Sequence, residues 1–182
     1  EGSSYLSAFG LFHWADKSFE QGALAENMSI DQALVGATAL DRPDLFQSGE
    51  GDDQLSMTRG AVAGVAAAVV VFAPGEDRSW AEDVLARAAD LAEEPGPLWF
   101  AGSQIAWHQA IFVARAAAAD LRRNPDDQAK IQRLLALITH PLECVGLEAT
   151  AQIISLWAVA PRLAWEGLRL ALQLCISEPD DR

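Results

Sequence analysis

Apolar residues recur at helical spacing along most of the chain, and the spacing predicts eight helices. The clearest stripe is Val62, Val65, Val69 and Phe72, in a helix running from about residue 53 to 73 and stopped by Pro74-Gly75. Before it, a first helix spans about residues 4–25, with a break near Asp16 as an alternative. A second opens at Ser29-Ile30-Asp31-Gln32, which has the Ser-x-x-Gln form of a capping box, and ends near Leu40 ahead of Asp41-Arg42-Pro43. Ser79-Trp80-Ala81-Glu82 has the same form and opens a helix carrying Trp80, Val84, Leu85, Ala88 and Leu91 on one face. The next helix is expected over residues 103–123. Trp107, Ile111, Ala114, Ala118 and Leu121 line one of its faces; Ile105, Phe112, Ala116 and Ala119 line another. A helix apolar on two faces is buried between neighbours. A sixth, capped by Asp126 or Asp127, presents Ile131, Leu134, Leu135 and Ile138. The last two carry Val145, Ala149, Ile153, Leu156 and Ala160, then Leu163, Gly167, Leu170 and Leu174, with Pro161 placed where a first helical turn tolerates it. The one β-prone run, residues 69–72, continues a helical stripe and has no partner run.

The connections after residue 53 are short, so neighbouring helices should run antiparallel. The expected fold is therefore all-α: antiparallel helix pairs stacked as an α-α superhelix or solenoid fragment, with an irregular multi-helix bundle as the alternative. Residues 1–40 read as an N-terminal helical arm and residues 54–182 as the main stack. Residues 41–53, rich in Pro, Gly, Ser and acid, read as an acidic linker and the best candidate for a mobile segment. Val145-Gly146-Leu147-Glu148-Ala149, just after a proline turn, resembles the second-helix signature of HEAT and armadillo repeats, Val-Arg-x-x-Ala. Gly146 stands where that signature has its groove arginine, and the resemblance covers about one repeat. A TPR-like repeat fits the helix-pair period equally. The resemblance implies a protein-binding scaffold.

Composition adds two constraints. Alanine-rich, aromatic-poor hydrophobic content (51% hydrophobic, 8% aromatic) favours helices whose backbones approach closely. A net charge of −13 repels nucleic acid and anionic lipid alike, so neither is expected as a partner. The uncharged stretch from residue 60 to 75 falls short of the roughly 20 residues that cross a bilayer and reads as a buried helix. Cys144 and Cys175 make no disulfide framework, and no basic-then-apolar leader opens the chain, so a reducing, cytoplasmic setting is expected. The start at Glu1 suggests a segment of a larger bacterial protein.

Chemistry is thinly signalled. His13 has Asp16 and Glu20 on its own helix face, a spacing that could bind a metal or pass a proton, or simply be solvated. His108, beside Trp107 on the doubly apolar helix, reads either as a pocket residue or as a core-edge histidine bonded to a neighbour. His140-Pro141-Leu142-Glu143-Cys144 contains the elements of a Cys–His pair, which needs hydrogen-bond reach and an oxyanion hole that spacing cannot establish. No phosphate loop is present. The six tryptophans read as anchors, with any that stay unburied as interface hot spots. The candidate ligand- or partner-binding residues are Trp107, His108, Trp99, Trp14 and His13, with no catalytic or metal site and no cofactor assigned. The expected function is a non-catalytic protein-interaction or regulatory helical-repeat module. The alternatives are a helical-bundle enzyme or ligand-binding domain with a pocket at Trp107 and His108, and an acidic inhibitor or immunity-type protein.

Overall fold

A computed structural model of the chain describes residues 2–47, 53–73, 75, 78–92, 108–140 and 142–177. Among these residues the fold is all-α, with eight helices and no strand: α1 (Gly2–Gln21), α2 (Ile30–Leu40), α3 (Asp53–Phe72), α4 (Arg78–Ala92), α5 (Gln109–Arg123), α6 (Gln128–Ile138), α7 (Glu143–Ser155) and α8 (Pro161–Ser177). Each odd-numbered helix packs on the next odd-numbered one. Each of α2, α4 and α6 packs on the two odd-numbered helices that flank it in sequence, and α8 packs on α7 and, less extensively, on α6.

The centre is α3. From Ala61 to Val70 every residue is buried, because α1, α2, α4 and α5 surround it. Leu55–Phe72 is long and apolar enough to cross a membrane by length and composition, and most of it is covered by these neighbours. Small residues permit the coverage. A Cβ at Gly64 would lie 2.9 Å from the Ala15 Cβ and 3.1 Å from the Phe112 ring.

Local signals explain most helix ends. The capping box at Ser29 forms as the spacing predicts: its hydroxyl accepts from Gln32 N–H at 3.2 Å, and Gln32 Oε1 accepts from Ser29 N–H at 3.1 Å. Asp127 caps α6, and Pro161 begins α8. The end of α3 is closed by Arg123, which donates to the carbonyls of Val70 and Val71 at 3.4 and 3.1 Å. Three expected boundaries move. The first helix, expected to reach about residue 25, ends at Gln21, where Gly22 takes a φ of 69°. A helix capped by Ser79 would begin at Trp80; it begins two residues sooner, at Arg78, so Ser79 lies inside its first turn. The helix expected from residue 103 starts at Gln109, because His108 adopts extended backbone (φ −68°, ψ 128°) and serves as its N-cap.

The N-terminal helices share one core with the rest: Leu11, Phe12, Trp14 and Ala15 of α1 and Ala33, Leu34 and Ala37 of α2 lie in the same buried cluster as α3–α8. Residues 41–47 are anchored, contrary to their reading as part of a mobile linker. Leu45 and Phe46 are buried, Arg59 donates to the carbonyls of Leu45 (2.6 Å) and Gln47 (2.9 Å), and Asp41 accepts from Arg87 and from the Trp80 indole. The polar part of that linker, residues 48–52, lies outside the described residues. The arginine that the repeat signature places at position 146 has no room here, since even a Cβ would sit 2.8 Å from the Ile138 carbonyl oxygen.

Two glycines test the close-packing argument. Gly64→Ala drives a methyl group against the Ala15 Cβ, which is fixed to its helix, and against the fully buried Phe112 ring, and should destabilise by about 1–3 kcal/mol in urea unfolding. Gly10, within α1, has nothing within 4 Å of its Cβ position, and Gly10→Ala should instead stabilise by about 0.5–1 kcal/mol through helix propensity. Equal effects at both positions would refute the account.

Candidate functional site

The fold brings His108 and His140 together, 32 residues apart in sequence, with ring centroids 5.0 Å apart and planes at 63°. Both imidazoles serve the backbone. His108 Nδ1 accepts from Ala110 N–H at 3.3 Å at the start of α5, and His140 Nδ1 accepts from Leu142 N–H at 3.1 Å just before α7. An imidazole whose Nδ1 accepts carries its proton on Nε2. Burial pushes His108 down to about 3, helped by His140 and by the nearby Arg59 charge, so it is neutral in any ordinary buffer. Protonating Nδ1 would also break the helix cap. The pair is built to hold two helix starts in register, and His108 is poorly placed to act as an acid or base near neutral pH.

The other sequence candidates separate. Trp14 is unavailable to a partner: it is fully buried, and its indole N–H is shared between the carbonyls of Ala25 and Met28, both at 3.0 Å, which pins the chain after α1. His13 is exposed and stacks on Phe9 at 6.5 Å. Its helix neighbour Asp16 turns away to Arg115, so the His13, Asp16 and Glu20 set does not converge. Trp99 and Trp107 lie outside the described residues. Cys144 is half-buried, and burial raises its thiol above the usual range, the opposite of what an activated nucleophile needs. Among the described residues no three His, Cys, Asp or Glu side chains gather as a metal site requires.

Sequence reasoning missed the arginine clamps, because their partners are remote in the chain. Arg115 of α5 pairs with Asp16 of α1 at 3.0 Å and Glu148 of α7 at 2.9 Å, and lies over the rings of Phe19 and Phe112. Burial works against its charge, and Glu148 and then Asp16 more than offset it. Arg87 of α4 grips Asp41 through two hydrogen bonds and lies over Phe46. Both tie helices together and leave no free group for chemistry.

What remains exposed is apolar. Trp157 (52% exposed) follows α7 and Trp165 (61% exposed) lies on α8, together with Leu147, Ile154, Val159, Leu172 and Leu174. Of the helical stripe assigned to α8, Leu163 is buried and Gly167 packs against Ile153 of α7, while Leu174 at its far end is exposed. Trp165, Leu168 and Leu172 form a second stripe at 3-4 spacing on the outward side. That second stripe was the available signal for an uncovered face. Comparison with protein-family models, with curated proteins and with solved structures finds no match.

The buried histidine makes a pH prediction. Between pH 6.5 and about 3 the unfolded chain binds a proton at His108 that the folded chain refuses. Its contribution is therefore complete above pH 6.5 and is lost as pH falls, with a limiting slope of about 1.4 kcal/mol per pH unit. His108→Asn keeps an acceptor at the cap and removes the titration. Urea unfolding from about pH 7 to about pH 5 should show a shallower loss of stability in the variant than in the parent. Parallel curves would contradict the burial of a neutral imidazole.

Proposed function

We propose that the chain is a non-catalytic protein-interaction module made of stacked helical hairpins, which recognises a protein partner through the outward face of its last hairpin. One observation carries the reading. Among the described residues, seven of the nine exposed large hydrophobics lie between Leu147 and Leu174; only Phe9 and Val35 lie elsewhere. Aromatic side chains standing in solvent among other exposed apolar residues are common anchors of protein interfaces.

The helix order supports a repeat-type scaffold. The α3–α4 and α5–α6 hairpins are each covered on both sides by their neighbours, as in solenoids, where a unit buries its apolar face against the next one, while the terminal α1–α2 hairpin is covered on one side. The α7–α8 hairpin has that cover on one side. A partner fitting this surface offers an apolar helical face, and the net charge of −13 favours a neutral or basic rim around it.

A photo-crosslinking residue at position 165, introduced in the organism's own cells, should yield a discrete adduct with another protein. The same residue at the exposed Glu20 of α1 should not. Trp157→Ser should remove the adduct while changing unfolding stability by less than about 0.5 kcal/mol, as expected of an exposed site. Adducts of equal yield from positions 165 and 20, or none from 165, would sink the proposal.

A further inference from the structure

We propose that the cleft between α4 and α6 binds a small organic acid, a single carboxylate carried on a short apolar chain. The cleft arises because α4 and α6 both rest on α5 while α6 leans toward α7 and α8. The space left is about 290 Å³. Its floor is apolar and smooth, formed by Val70 of α3 with Val113, Ala116 and Ala117 of α5. Leu85 and Ala86 line the α4 side, and Arg133 lines the α6 side.

Charge pairing around the cleft leaves one cation over. Glu82 is held by Arg78 at 2.7 Å. Asp120 receives Lys130 at 2.7 Å, Arg123 at 3.3 Å and Arg78 at 3.7 Å, and Lys130 also meets Asp127 at 3.5 Å. Among the described residues, four cations stand against those three carboxylates, and the unmatched one is Arg133. Its Nε is buried and has no hydrogen-bond acceptor among the described residues. A buried guanidinium N–H without an acceptor is rare, and a carboxylate is the acceptor whose planar geometry suits it. In a chain of net charge −13, a cation without an ion-pair partner among the described residues, set beside an apolar floor, favours an anion with a hydrocarbon body. A single charge fits better than a dianion, because Glu82 and Asp120 line the same cleft. The volume lies near the roughly 300 Å³ at which small-molecule sites begin, which points to a short-chain acid.

Octanoate, octanol and octylamine titrated calorimetrically into the full chain test the inference. Octanoate should bind, and the alcohol and amine should bind at least about tenfold more weakly. Arg133→Gln should weaken octanoate by at least about tenfold, while keeping the helical circular dichroism signal. Ala86→Trp, at an exposed position on the α4 wall, should block the cleft and abolish binding without touching the charges. No octanoate binding at millimolar concentration would overturn the proposal, as would octanol binding equal to octanoate. Binding that survives both variants would place the acid on the apolar face of α7–α8 and overturn it as well.

Discussion

At Gly64 three helices meet so closely that a methyl group there would lie 2.9 Å from the Cβ of Ala15 and 3.1 Å from the Phe112 ring. Everything else is arranged around this approach of α1, α3 and α5. An α3 built from Ala, Gly and Val has little side-chain bulk, so it can be covered on all sides only by helices whose own facing residues are small or flat. Ala15 supplies the small surface, and the edge-on pair of Phe12 and Phe112, 5.6 Å between centroids, supplies the flat ones. The same rule recurs at the chain's end, where Gly167 admits Ile153 of α7.

Close packing of alanine-rich helices leaves orientation weakly specified, because smooth surfaces slide past one another. Polar links that span layers supply what the apolar contacts lack. Arg115 ties α1, α5 and α7 at one level, Arg87 ties the segment after α2 to α4, and Arg123 closes the end of α3 from α5. His108 and His140 hold the starts of α5 and α7 against each other. These arginines meet acids or carbonyls from other elements, so a strongly acidic chain spends much of its scarce positive charge inside the fold. That scarcity is what makes an unmatched Arg133 informative.

Residues 29–40 were legible in full, since the Ser29–Gln32 box acts within one turn and needs nothing from elsewhere. The inward stripes of α3, α6 and α7 were equally legible: Val62, Val65 and Val69, Leu134 and Ile138, Val145 and Ile153 are all buried as their spacing predicts. The start of α5 was not. Histidine is an uncommon cap, and the apolar residues before it extend a helical pattern that the backbone at His108 interrupts. Trp14 misled for a related reason: exposure of a tryptophan depends on whether distant carbonyls, here those of Ala25 and Met28, are folded over its N–H.

The chain's own periodicity, alanine content and proline stops determined that it would be all-α, roughly where each helix would lie, and which residues of α3, α6 and α7 would turn inward. Those are properties of a few consecutive turns. Tertiary structure alone decided which histidine meets which, that Asp16 serves Arg115 rather than His13, that residues 41–47 are clamped, and that the last hairpin keeps a tryptophan-bearing face open. Each of these depends on partners tens of residues away. A second apolar stripe can mark a face as coverable, but whether that face is buried or bare depends on what the rest of the chain lays against it.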